Sequence, residues 1–266
     1  MTLSTEAGRA LARLRDRAPL VHNITNYVSM DVAANVLLAA GASPVMAHAI
    51  EEVEAFVEMS GALVVNIGTL SEAWVRAMHR AASRAAAIGT PWVLDPVGVG
   101  ATAYRTTVAG ELARHRPTVV RGNASEILAL AGEAGETKGV DSTKGVDAAR
   151  EVAAALARRL GCVVAATGKV DFVTDGTRAR TVANGDPLMT KVTALGCSAS
   201  ALVGAFLAVT PDPLEATAQA LAFVGLAGEI GARGAAGPGS FRVAFMDALQ
   251  TIDAAVMEDG ARIAEA

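Results

Sequence analysis

Short apolar runs alternate along this chain with longer stretches in which apolar residues recur three and four positions apart. Runs of that kind suit strands buried on both faces, and the longer stretches suit amphipathic helices, so the pattern predicts a mainly parallel central sheet with helices on both faces. Strands are expected at Leu20–His22, Pro44–Met46, Ala62–Asn66, Trp92–Leu94, Val119–Arg121, Val163–Ala166, Asp171–Thr174 and Thr177–Val182. Helices are expected at Ser29–Ala40, Ile50–Met59, Ser71–Ile88, Ser125–Ala131 and Ala148–Leu160, the first four stopped by Gly41, Gly61, Gly89 and Gly132. Glycine is the natural stop because it takes positive φ without strain. After Val182 the pattern is helical alone, over Cys197–Leu207, Pro213–Gly231 and Gly239–Glu258.

Two segments depart from this rhythm. Asp175-Gly176 between two alternating runs signals a hairpin, so an antiparallel edge should close the sheet. Gly132–Asp147 is polar and carries a short repeat, Lys138-Gly-Val-Asp141 then Lys144-Gly-Val-Asp147, which reads as a surface loop.

Composition narrows the function classes. With 266 residues and 52% apolar content, the chain can bury the core of one α/β domain spanning 1–266. Its net charge of -4, without a Lys/Arg cluster, excludes the basic face that nucleic acid requires. No apolar run reaches the roughly 18 residues of a membrane span. Met1–Leu14, with Glu6 and Arg9 among its alanines, reads as an amphipathic helix rather than a signal-peptide core. Two cysteines are too few for a disulfide framework or a zinc site, which together point to the reducing cytoplasm. The four histidines show no ligand spacing.

In open α/β sheets ligands bind beyond the carboxyl ends of the strands, so chemistry is sought there. Asp95, followed by the glycine-punctuated loop to Thr102, is either a capped turn or a Mg²⁺-linked carboxylate beside a phosphate loop. Arg121 precedes Gly122-Asn-Ala-Ser-Glu126, where Asn123 and Glu126 could be a helix cap, while the guanidinium suits nucleotide phosphates. Thr167-Gly168 offers a hydroxyl and open backbone. Gly196-Cys197 opens an apolar helix whose positive end is a ready anion site. Three roles are open to Cys197: nucleophile, general base with its pKa lowered by the helix terminus, or packing residue. Cys162, within a strand pattern, is assigned to packing.

Taken in order, Pro19–Asn26, Gly41–Met46, Asn66–Thr69, Leu94–Gly98, Arg121–Ala124, Thr190–Thr193 and Gly237–Phe241 resemble the hydroxyethylthiazole kinases of the ribokinase-like superfamily across most of the chain. The resemblance implies a three-layer ribokinase-like fold and ATP-dependent phosphorylation of the hydroxyl of 4-methyl-5-(2-hydroxyethyl)thiazole, a salvage step toward thiamine. It implies that Arg121 and Thr167 contact ATP and that Asp95 and Glu126 serve the Mg²⁺-phosphate region. Met46, Asn26, Gly68 and Ala194 would line the thiazole pocket. It further implies a homotrimer with active sites between subunits, in which Asn26 and Met46 serve a neighbour's site, and places Cys197 where the superfamily's catalytic aspartate resides. Ala194 departs from the family, which has glycine there; if that position needs positive φ, the β-carbon costs about 1 kcal/mol. The rival readings are a same-fold hydroxymethylpyrimidine kinase, an NAD(P)H-hydrate dehydratase and a non-catalytic thiazole-binding protein.

Overall fold

A computed structural model describes residues 2–132 and 145–266. Helix α1 (Leu3–Arg17) is capped by the Thr2 hydroxyl and buries Ala7, Ala10, Leu11 and Leu14, the one-face spacing read from the sequence. Strand β1 (Leu20–Ile24) leads through α2 (Met30–Ala40) outward to β2 (Ser43–Val45); α3 (Val53–Met59) then returns the chain across β1 to β3 (Ala62–Asn66). From there α4 (Glu72–Ile88), β4 (Trp92–Asp95), α5 (Ala103–Ala113), β5 (Val119–Asn123), α6 (Ala124–Gly132), α7 (Gly145–Leu160) and β6 (Val163–Thr167) continue in one direction. The pair β7 (Asp171–Thr174) and β8 (Ala179–Val182) turns antiparallel. Helices α8 (Leu195–Leu207), α9 (Pro213–Ala232), α10 (Pro238–Thr251) and α11 (Ala254–Gly260) precede a last edge strand, β9 (Ile263–Glu265).

The sheet order is β2-β1-β3-β4-β5-β6-β7-β8-β9, parallel through β6. Successive strand residues feed opposite cores: Val64 and Val93 pack with α1, α2, α8, α9 and α10, whereas Leu63, Val65 and Leu94 pack with α3, α4 and α5. That division gives the three layers expected of strands apolar on both faces. The winding reverses between β1 and β3, and such a switch point opens a crevice at the carboxyl ends of both strands.

Several boundaries differ from the sequence reading. Gly41 and Gly89 end their helices at positive φ, but Gly61 does not: α3 stops at extended Ser60, and Gly61 is small because a β-carbon there would lie 2.8 Å from Ala208. Gly132 lies inside α6. Helix α5 was not expected, because its apolar positions form only a weak stripe; Thr102 starts it by accepting from Arg105 N. The expected helix Gly239–Glu258 is two, interrupted where Asp253 caps α11. Strand β8 begins at Ala179, since Asp175 Oδ1 accepts from Thr177 N and Arg178 N and keeps Thr177 in the loop. Of the expected loop at 132–147, residues 133–144 lie outside the described residues, as does most of the repeat, and 145–147 belong to α7. Strand β9 was missed because three residues carry almost no pattern.

Candidate active site

The tips of β1, β3, β4, β5 and β6 converge on the N-terminus of α8. Asp95 ends β4 directly opposite Asn66 at the end of β3, in parallel register. Its carboxylate is buried, and Oδ2 accepts from Asn66 Nδ2 and from Ser200 Oγ, both at 2.7 Å, while Oδ1 has no hydrogen-bond partner among the described residues. Burial pushes the acid up to about 6, against the lowering pull of Arg121 and the Ser200 hydrogen bond.

Asn66 passes the contact onward. Its Oδ1 accepts from Asn26 Nδ2 at 2.7 Å and from Gly68 N at 2.9 Å. Asn26 Nδ2 also donates to Cys197 Sγ at 3.4 Å, while Asn26 Oδ1 takes the N–H groups of Val28 and Ser29. Carboxylate, two amides and thiol thus form one continuous polar chain. Asn26 meets the Cys197 of its own chain. One expectation is corrected: the thiol is not lowered by its helix terminus, because burial and the nearby Asp95 charge push it up, and the donors of Asn26, Asn66 and Ser29 only partly oppose them. Gly68 is small because a β-carbon would lie 2.5 Å from Asn26 Nδ2. Met46 follows β2 at the edge of the sheet, half-buried against the α2/α8 core.

On the other side of Asp95, Arg121 reaches across to α8 and donates to Gly196 O at 3.1 Å. A β-carbon on Gly196 would approach Arg121 Nη1 to 3.2 Å, so glycine lets the guanidinium sit against the helix start. Arg121, Thr167, Gly168, Asp171, Gly196 and Met189 border a cavity of about 610 Å³. Thr167 Oγ1 donates to Gly122 O, and Asp171 accepts from Gly168 N. A larger cleft of about 700 Å³, near Trp92, Arg116 and Arg178, opens at the opposite ends of the strands and holds none of the residues nominated from sequence.

Glu126 carries much of the local architecture. Oε2 accepts from Asn123 N and Asn123 Oδ1 accepts from Glu126 N, a reciprocal cap with asparagine in the usual Ser/Thr position. Oε1 accepts from Gly98 N, tying the β4 loop to α6. Each oxygen keeps a further lone pair, and the charge of Glu126 is felt at Asp95. Arg105, missed from sequence because it lies on an unexpected helix, clamps three carbonyls, Ile67, Gly68 and Val97, at 2.6, 2.7 and 2.9 Å. Asn66 opens the segment Asn66–Thr69 and Ser200 lies one helical turn past Gly196, yet neither residue type announces a partner until the strands are paired. Cys162 is buried against the core with its thiol pushed up to about 12, as befits packing.

Ala194 stands at the start of α8 with φ 70, left-handed backbone that glycine adopts freely. Ala194→Gly is expected to raise Tm by about 1–3 °C, which calorimetry checks.

The hydroxyethylthiazole kinase family model matches residues 11–255. The chain belongs to the hydroxyethylthiazole kinase family. It is 57% identical to a hydroxyethylthiazole kinase of Cereibacter sphaeroides over 96% of this chain and 97% of that protein, and 54% identical to one of Granulibacter bethesdensis over 95% and 92%. The solved hydroxyethylthiazole kinase of Pyrococcus horikoshii superposes with a TM-score of 0.92 at 46% identity, covering 98% of this chain and 99% of that one. A pyridoxal kinase from Staphylococcus aureus shares only the fold, with a TM-score of 0.65 at 17% identity over 93% and 98%. The polar chain from Asp95 to Cys197 is therefore a feature of a hydroxyethylthiazole kinase family member on a ribokinase-like fold. Among the described residues no helix is long and apolar enough to cross a membrane.

Proposed function

We propose that this protein transfers the γ-phosphoryl group of ATP to the hydroxyl of 4-methyl-5-(2-hydroxyethyl)thiazole, as a step in thiamine salvage. The observation that carries the reading is the position of Asp95, held on one side by the amide chain that ends at Cys197 and within reach of the charge of Arg121, which borders the cavity. Full-length relatives named as hydroxyethylthiazole kinases favour this acceptor over a pyrimidine or a hydrated nucleotide.

The thiazole lies on the β1–β3 side, against Gly68, Asn26 and Ala194, with its hydroxyl toward Cys197. The nucleotide phosphates lie against Arg121, Thr167 and the N-terminus of α8, whose aligned N–H groups favour negative charge. The hydroxyl oxygen attacks the γ-phosphorus as the bond to the ADP oxygen breaks, and its proton leaves toward Cys197 Sγ or water. A loose transition state needs little help from a base, so the minor thiolate fraction of Cys197, the only form that can take the proton, can serve at neutral pH, with water as acceptor otherwise.

The partnerless Asp95 Oδ1 and the Glu126 carboxylate suit Mg²⁺, which takes one or two carboxylates together with phosphate oxygens; among the described residues no cluster of three acidic, histidine or cysteine groups could hold it without them. Mg²⁺ there would neutralise charge on the transferring phosphoryl group. A cytoplasmic homotrimer completes the reading, supported by Tyr27 and Val28, which stand 71% and 58% exposed beside Asn26, with Met46 serving a neighbouring site.

Incubating the protein with ATP, Mg²⁺ and the thiazole alcohol should yield the phosphate ester by mass spectrometry, with little from hydroxymethylpyrimidine. Thiazole binding without ester from a folded sample would sink the kinase reading in favour of a binding protein. Cys197→Ala should lower kcat about 10-fold, less than the loss of a fully ionised base would cause, and Cys197→Asp should stay active; an alanine variant with unchanged kcat would remove the thiol from proton transfer.

A further inference from the structure

We propose that Asn66 is a positioning residue for the transfer, a single planar amide that sets the Asp95 carboxylate on the phosphate side and the Asn26 amide on the acceptor side in one register. The proposal rests on the kinase reading above. Asn66 is 1% exposed, so its amide cannot turn to water.

The direction of the chain follows from backbone donors at its ends. Gly68 N can only donate, so the Asn66 atom facing it at 2.9 Å is oxygen, and the nitrogen faces Asp95. The N–H groups of Val28 and Ser29 fix Asn26 in the same way, leaving Asn26 Nδ2 for Asn66 Oδ1 and for the Cys197 sulfur. A reversed Asn66 would set nitrogen against Gly68 N–H and Asn26 Nδ2, and oxygen against the carboxylate. With this orientation Asp95 Oδ2 is saturated by Asn66 and Ser200, and Oδ1 is the oxygen left for the reacting groups.

Little room exists for any of these groups to move independently. The Gly68 backbone presses on Asn26 so closely that a β-carbon could not be inserted, and Arg105 pins the carbonyls of Ile67 and Gly68 to that of Val97 beyond Asp95. A displacement at the acceptor end is therefore transmitted through Asn66 to the carboxylate. Ser200 contacts the same Asp95 oxygen, but no hydrogen bond joins it to the acceptor side, so it serves as the internal comparison.

Steady-state kinetics on Asn66→Ala, Ser200→Ala, Asn26→Ala and the Asn26→Ala/Asn66→Ala double variant test this. Asn66→Ala should lower kcat about 30–100-fold with both KM values within about threefold, and Ser200→Ala about fivefold. The double variant should be no slower than Asn66→Ala alone, because Asn26 acts through Asn66. A purely structural role would instead lower Tm and the active fraction, leave kcat per active site unchanged and give additive losses; that result, or kcat within twofold of wild type, overturns the proposal. If the alanine variant does not fold, Asn66→Ser keeps a hydroxyl in place and should show the same kcat-only loss, reduced in size; wild-type kcat there overturns the proposal equally. Absence of ester with the wild-type protein would instead reject the kinase reading itself.

Discussion

Asp95→Asn should lower kcat by about 10³ while making the protein more stable at neutral pH. The substitution preserves shape, and an asparagine oxygen can still accept from Asn66 Nδ2 and Ser200 Oγ. What is lost is the negative charge and the oxygen that carries no hydrogen bond. Stability moves the other way because burial raises the folded acid from its ordinary value of 3.8 to about 6. Between those values the folded state binds more protons than the unfolded chain, so stability falls as pH rises and the loss is complete above pH 6. Asparagine is free of that cost, which is of order 1–3 kcal/mol at pH 7.5. Differential scanning calorimetry should show a higher Tm for the variant at pH 7.5 and a gap that narrows toward pH 4. A lower Tm at pH 7.5 would mean that the neighbouring Arg121 outweighs the desolvation of the carboxylate.

The same balance explains why sequence patterns revealed some parts of this molecule and hid others. Strands buried on both faces, such as Ala62–Asn66 and Val163–Thr167, are legible because every residue before the polar one at the tip is apolar and no competing reading fits. Helix α5 was hidden because Tyr104, Arg105, Thr106 and Thr107 interrupt its apolar face, although Thr102 gives it a good start. At the site, strand-tip logic located Asp95, Arg121, Thr167 and Cys197, since the carboxyl ends of the strands face one crevice. What joins them was not legible. Asn66 and Asp95 lie 29 residues apart and meet only through β3–β4 register, and Ser200 meets Asp95 across 105 residues. Burial also reversed an inference that was sound locally: a helix N-terminus lowers a thiol pKa, but a buried thiol beside a buried carboxylate is raised. Ala194 is the converse case, where an alanine against the family's glycine posed the question of positive φ and the backbone, at φ 70, answers it.

Arg121→Ala is expected to raise the KM for ATP about 10-fold and lower kcat about 10²-fold, because the guanidinium acts in two places at once. It borders the cavity assigned to the phosphates, where its charge offsets the anion, and it holds Gly196 O at the start of α8, where the N–H groups of the same turn point toward that anion. Removing it also takes away a cation that lowers both Asp95 and Asp171, so both acids become harder to ionise. Arg121→Lys separates the two functions: a lysine restores a point charge but not the planar fork, so it should recover ATP affinity more than kcat. The clearest readout is ligand-induced stabilisation. ATP raises the Tm of the wild-type protein according to its concentration relative to Kd, and at fixed ATP a 10-fold weaker affinity removes about 1.4 kcal/mol of that stabilisation. An alanine variant that ATP still stabilises as fully as wild type would place the phosphates away from Arg121, and with them the chemistry away from the tip of β5.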